Sequence, residues 1–406
     1  MSSQTTVNNT SKLAIQGGTP VRQTWLPYGR QSISDADIEA VTKVLKSDWL
    51  TQGPNIGQFE SAIAKYCGVA HAVAVSNGTA ALHVAYFGAG MGLDDEVIMP
   101  GMSFAATANA ALYLGAKPVF VDVYADSGNI DVNAVKNAIT PKTKAIVGVD
   151  FTGHPCDLSE LRAVADAAKV PLVVDGAHSL GATYKGKHAA QVPDLTTFSF
   201  HPVKTITTGE GGMIVTNNAQ FAQRMRIFRT HGIEKNADNF VFEDQGPWYH
   251  EMQDLGFNYR LTDFQAALGL SQLQQLDKFI ARRREIAAAY KKKLSALKQF
   301  TCLKENADAQ SAYHLFQILV NKEPYGETRK FVFEALHAEN IGVQIHYIPI
   351  YDHPYYQQTV NPGKRPVCPN TDQFYSRVIS LPIFPTMTDA DVDDVVTALV
   401  KIEAAL

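Results

Sequence analysis

Cysteine is scarce in this chain: Cys67, Cys156, Cys302 and Cys368 are the only four in 406 residues. No two share the CxxC spacing of a zinc ribbon or redox pair, so reduced structural thiols are expected rather than disulfides or a metal centre. Charge is also thin, at 19% of residues against roughly 25% in an average chain. With 36 basic and 40 acidic side chains the net charge is -4, which supplies no global field to gather nucleic acid or an anionic membrane. No uninterrupted apolar run approaches the roughly 18 residues of a membrane-spanning helix. The opening MSSQTTVNNT lacks the apolar stretch of a secretory signal. These absences point to a cytoplasmic protein that acts on small molecules.

What is present is apolar residue, 46% of the chain, enough for a large core and about two domains at this length. Between residues 34 and 217, short β-branched runs alternate with stretches of helical period, the pattern of a mostly parallel α/β sheet. Strands are predicted at 71–76, 96–99, 118–121, 145–149, 172–174, 196–200 and 213–216. Helices fit between them at 79–87, 103–114, 131–138 and 158–168, the last with Asp157 as its N-cap. Residues 261–297 contain no Pro and keep near-helical apolar spacing, which predicts one long bridging helix. A smaller α+β unit follows, with a strand at 315–320, a helix at 327–339, a Pro- and Tyr-rich stretch at 345–356 and a closing helix after Thr388. The expected division is an N-terminal segment 1–33, a large domain 34–270 and a small C-terminal domain 271–406.

Four stretches carry chemistry. Phe198-Ser199-Phe200-His201-Pro202-Val203-Lys204 places a lysine just past a strand end, where α/β sheets present reactive groups. Val173-Val174-Asp175-Gly176-Ala177-His178 ends an apolar strand on a carboxylate. Such an Asp can cap a helix, bind a metal or anchor a cation, and a carboxylate that keeps a cofactor's pyridine nitrogen protonated is a further use. Ser76-Asn77-Gly78-Thr79-Ala80-Ala81-Leu82 reads as strand, glycine turn and helix start. There the free N–H groups and positive dipole end suit a phosphate, although an ordinary capped helix has the same pattern. Neither GxGxxG nor GxxxxGK[ST] is present at this turn, which weakens dinucleotide and Walker-type readings. Pro100-Gly101-Met102-Ser103-Phe104 sets an aromatic ring after another strand, either as core or as a face for a flat ligand. The basic runs Arg282-Arg283-Arg284 and Lys291-Lys292-Lys293 read as a solvated helix face.

Taken together, these motifs, with Gly209-Glu210-Gly211-Gly212 and Asn258-Tyr259-Arg260-Leu261-Thr262-Asp263 in the same order, resemble the DegT/DnrJ/EryC1/StrS family of sugar aminotransferases. The resemblance spans almost the whole chain and implies a fold-type I transferase dependent on pyridoxal 5'-phosphate. By position it makes Lys204 the cofactor-linking lysine, Asp175 the partner of the pyridine nitrogen and His178 a neighbour of the phenolic oxygen. It makes Ser199 with the Gly78-Thr79-Ala80 turn the phosphate contacts and Phe104 the stacking ring. Asn258 would reach the phosphate in a neighbouring subunit, which implies a homodimer with shared sites.

Residues 198–212 and 345–356 carry the nearest likeness, to family members of pseudaminic acid biosynthesis. That implies L-glutamate as amino donor and a UDP-linked 4-keto-6-deoxy-N-acetyl hexose as acceptor. His346 and Tyr347 fall in the stretch suited to bind the sugar nucleotide, which reads equally as a Pro-braced packing loop. A GDP- or dTDP-sugar acceptor, a dehydratase of the same fold and a non-catalytic regulatory protein are the alternatives. The presence of Lys204 argues against the dehydratase, which typically has another residue there.

Overall fold

Apolar strands such as Leu172–Asp175 need cover on both faces, and this sets the architecture. A computed structural model describes residues 12–406; the opening ten residues lie outside that range. Seven strands form the main sheet: β1 (His71–Val75), β2 (Glu96–Pro100), β3 (Lys117–Val121), β4 (Thr143–Val149), β5 (Leu172–Asp175), β6 (Leu195–Ser199) and β7 (Gly212–Thr216). Their order is β1-β7-β6-β5-β4-β2-β3. Only β7 runs against the rest. Successive residues of β5 point to opposite faces: Val173 enters the core beneath helix Gly78–Gly88, while Leu172 and Val174 enter the core beneath helix Leu158–Ala168. Each fully buried Val or Leu contributes roughly 1.5–3 kcal/mol, so a parallel sheet covered twice needs continuous apolar runs. The α/β class and the predicted strands are therefore observed, within a residue or two at their ends.

A second core surrounds a three-stranded antiparallel sheet of Phe300–Cys302, Phe316–Val320 and Val378–Leu381. Helices Tyr325–Ala338 and Asp389–Glu403 cover it, and Leu13 and Leu26 from the N-terminal segment join it. All four cysteines are free, three of them buried. Among the described residues no helix is long and apolar enough to cross a membrane.

Four local expectations need correction. The single helix over 261–297 is two, Asp263–Leu273 and Leu276–Leu294. The break comes where Gln274 and Gln275 donate to Ser271 and Gln272 in tight i→i−3 bonds. There the Gln272 side chain is buried and donates to Ser32 O and Asp37 Oδ2. Helix 103–114 begins only at Ala106. Asp157 occupies the N-cap position of Leu158–Ala168, but its carboxylate caps nothing and accepts instead from Asn306. Finally, the arginine run is no solvated face. Arg283 is 1% exposed, and its guanidinium donates to the carbonyls of Tyr313, His314 and Ile383. Arg282 binds Met387 O and Asp389, and Arg284 binds Ser311 O. A run of like charges on one helix is thus spent on backbone carbonyls and on carboxylates that periodicity cannot show.

Candidate functional site

The parallel strands β1, β2, β5 and β6 end on one edge of the sheet, so the turns that follow them converge. After β1 the chain turns through Asn77, whose side chain accepts from Ala80 N and caps helix Gly78–Gly88. The first intrahelical bond runs from Ala81 N to Asn77 O, which leaves the N–H groups of Gly78 and Thr79 without an acceptor inside the helix. Glycine is required at this turn. A Cβ on Gly78 would sit 2.8 Å from Ser199 Cβ at the end of β6. One on Gly212, at the start of β7, would sit 2.3 Å from Asn77 O. The two glycines let strand ends and helix tip close into one cradle.

Beside it lies Asp175, buried at the end of β5. Its Oδ2 accepts from Thr107 Oγ1 at 2.7 Å, and its Oδ1 accepts from Ala177 N at 3.1 Å. Thr107 is in turn 2.7 Å from Ser103 Oγ. Burial raises the Asp175 pKa, opposed by these hydrogen bonds and by the charge of Lys204. Lys204 leaves the loop after β6 and lines the same cavity. Although part of its side chain faces that cavity, the walls desolvate the ammonium and lower its pKa to about 8, against the pull of Asp175. Burial, then the charge of Lys204, holds His178 well below an ordinary histidine, so the ring is neutral. Its Nε2 meets the Tyr347 hydroxyl at 3.2 Å, while its Nδ1 is buried without a partner.

The cavity measures about 630 Å³ and brings together Gly78, Thr79, Ala80, Phe104, Asp175, His178, Ser199, Lys204, His346 and Tyr347. Phe104 stands over it, half exposed, with its ring 5.8 Å from that of Tyr347. The stretch 345–356 divides between its two readings. His346 and Tyr347 line the cavity, whereas Tyr351 and Tyr356 are core residues whose hydroxyls bind Asp372 and Asn109. Asn258 does not join its own chain's cavity. It is exposed, on a segment paired with Thr230 next to a two-stranded ribbon of Ile233–Glu234 and Glu251–Met252. That ribbon and its loops expose Val241, Phe242, Trp248 and Leu255. Among the wall residues not foreseen are Tyr28 and His314, and Thr107, which holds Asp175 from behind the cavity wall, was not foreseen either. Thr107 lies 68 positions from the carboxylate it holds, and no local pattern marks such a contact.

The residues present fit pyridoxal phosphate part for part. The cradle at Gly78 and Ser199 offers unpaired N–H groups and room for a phosphate, since no Cβ fills it. Asp175 is a fixed, buried acceptor for a ring N–H. Lys204 is a primary amine whose lowered pKa favours attack on a carbonyl carbon. The unpartnered Nδ1 of the neutral His178 is a buried group left for a ligand to satisfy.

Comparison with known proteins agrees with this geometry. The description "DegT/DnrJ/EryC1/StrS aminotransferase family" matches residues 31–400. The chain is 40% identical over 379 residues to the spore coat polysaccharide biosynthesis protein SpsC of Bacillus subtilis, covering 93% of this chain and 97% of that one. It is 37% identical over 370 residues to the UDP-4-amino-4,6-dideoxy-N-acetyl-beta-L-altrosamine transaminase of Campylobacter jejuni, covering 90% and 94%. Among solved structures, PseC of Helicobacter pylori, an aminotransferase of pseudaminic acid biosynthesis, superposes with a TM-score of 0.87 at 32% identity, covering 94% and 100%. The sugar aminotransferase Spr1654 of Streptococcus pneumoniae, solved in a PLP form, gives 0.86 at 28%, covering 94% and 100%. The chain belongs to the DegT/DnrJ/EryC1/StrS aminotransferase family.

Proposed function

We propose that the protein moves the amino group of L-glutamate to C4 of a UDP-linked 4-keto-6-deoxy-N-acetyl hexose. The observation that carries this is the meeting of Asp175, Lys204 and the Gly78–Ser199 cradle in one cavity. Its cofactor is pyridoxal 5'-phosphate, which supplies a sink for the electrons left when a C–H bond next to the transferred nitrogen breaks. The backbone amides of Gly78, Thr79 and Ala80 with Ser199 would hold the phosphate, and Phe104 would cover the ring face. Asp175 would keep the proton on the pyridine nitrogen. Lys204 would hold the cofactor, and its Nζ is the base that would take the proton from Cα of glutamate and, in the second half-reaction, the acid that would give one to C4 of the sugar. His178, His346 and Tyr347 would orient the reacting groups. One site serves both partners in turn, so the kinetics are ping-pong.

The UDP-sugar class rests on the 37% identity to the transaminase of C. jejuni. Its test is a glutamate-dependent assay over UDP-, GDP- and dTDP-4-keto sugars, with product stereochemistry read by NMR. Preference for a GDP or dTDP substrate would overturn the nucleotide assignment.

Cytoplasmic residence and a homodimer with shared sites are part of this proposal. The exposed ribbon around Trp248 gives the dimer a surface, and Asn258, outside its own cavity, is free to reach the phosphate of a partner. Asn258→Asp would place a carboxylate against that phosphate and should be inactive. Heterodimers of a Lys204→Ala subunit with an Asn258→Asp subunit then contain one complete site, so about half of the wild-type activity should return. No recovery in purified, differently tagged, cofactor-loaded heterodimers would rule out the shared site.

A further inference from the structure

Of the described side chains that line the cavity, Tyr28 alone comes from the segment ahead of the first α-helix, Asp35–Leu45. That segment is a strap fastened at several points. Glu339 and Lys401 form a buried ion pair at 2.8 Å, with side chains 0% and 7% exposed. The pair is completed by the strap: Ala14 N and Val21 N donate to the Glu339 carboxylate, and Lys401 Nζ donates to Thr19 O. Arg22 reaches Asp391 and Asp394 on the closing helix. Leu26 exchanges backbone bonds with Asn340 and Gly342, and Ile383 N donates to Tyr28 O. Past Tyr28 the strap touches the loop of the reactive lysine, because Gly29 lies against Val203, and Ser32 O accepts from Gln272.

The backbone of Tyr28 is therefore held from both sides, while its hydroxyl has no hydrogen-bond partner among the described residues. Its ring lies 5.6 Å from His346, which lies 4.8 Å from Tyr347, which binds His178. The cofactor's two ends are accounted for at Asp175 and at the cradle, so the wall of Tyr347, His346 and Tyr28 remains for the substrate. A phenol there presents an apolar face to a sugar ring and a donor to its hydroxyl or amide oxygens. Burial raises its pKa, so the donor proton stays in place.

We propose that residues 19–33 form a strap that carries Tyr28 into the acceptor side of the site, where Tyr28 contacts the sugar nucleotide and sets specificity in the second half-reaction. This rests on the function proposed above and names a substrate contact within it. The two half-reactions separate the roles. Each is followed by the visible absorbance of the cofactor, once with glutamate and once with a UDP-4-amino-4,6-dideoxy-N-acetyl hexose as amino donor. Tyr28→Ala should raise the half-saturating concentration of the sugar nucleotide about tenfold and leave that of glutamate and the resting spectrum unchanged. Tyr28→Phe, which keeps the ring, should lie between. Arg22→Ala, which loosens the strap far from the cavity, should shift the sugar step alone by about threefold.

Calorimetric titration with UDP-N-acetylglucosamine reads the same contact without turnover, and Tyr28→Ala should bind it about tenfold more weakly than wild type. Equal losses in both half-reactions, no loss in either, or equal affinities in the titration would overturn the proposal. A wild-type protein that responds to glutamate but to no UDP-amino sugar overturns the substrate class itself. The wild-type control distinguishes that result from a failure of Tyr28 alone.

Discussion

Lys204→Ala should reduce turnover by about 10³-fold or more, because in the proposed mechanism it deletes both the covalent anchor of the cofactor and the amine that moves the proton between carbon centres. The absorbance of lysine-bound cofactor should vanish with it, and the fold should survive. Lys204 makes no ion pair among the described residues, and desolvation has lowered its pKa from 10.5 to about 8. Its charge is therefore a burden on the folded state. Below pH 8 the native chain carries that burden in full. Between about 8 and 10.5 the unfolded chain binds the extra proton, and stability rises with pH. The cofactor-free Ala variant should accordingly melt above wild type at pH 7, with the difference shrinking to nothing past about pH 10.5. Thermal melts across that range, beside single-turnover absorbance, measure both halves. Residual turnover near wild type would end the assignment of Lys204, and a lower melting point at pH 7 would contradict its desolvated setting.

That a group costly to the fold marks the site explains what the sequence can reveal. Strands β1 to β7 were legible because both faces of the sheet are buried, so each strand is written as an apolar run. The residues after β1, β2, β5 and β6 were legible as a site because parallel strands bring their carboxyl ends to one edge. Less visible were features that depend on a distant acceptor. Arg283 reads as a solvated charge until the carbonyls of Tyr313, His314 and Ile383 are in place around it. The helix break at Gln274 follows from where Gln272 is drawn, not from a Pro or Gly. Tyr28 looks like any aromatic in an irregular segment, and the strap that aims it is held by Glu339 and Lys401, over 300 positions away. Periodicity records which face is buried; it carries no record of which polar partner waits there.

Asp175→Asn isolates the charge of the second group from its shape. In the native chain Oδ1 accepts from Ala177 N and Oδ2 from Thr107. An asparagine keeps the first bond and reverses the second, with its amide donating to Thr107 Oγ1 and Thr107 donating on to Ser103. The cradle at Gly78 and Ser199 is untouched, so cofactor occupancy should fall much less than catalysis. The anion proposed to face the pyridine nitrogen is lost, and kcat should fall on the order of 10²–10³-fold, the usual cost of one preorganised electrostatic group. The charge of Asp175 is also what raises the Lys204 pKa against desolvation. Removing it should move the pH at which the cofactor-free protein reacts half-maximally with pyridoxal phosphate from near 8 to a lower value. Asp175 itself is buried with a raised pKa, so above that pKa its carboxylate weighs on the native state, and the Asn variant should melt no lower than wild type at pH 7. A variant that is as stable, as fully loaded and far slower, with its lysine titrating lower, is the signature of a carboxylate kept for chemistry. An unchanged kcat, or an unchanged reaction midpoint for Lys204, would show that the two side chains do not act as a pair.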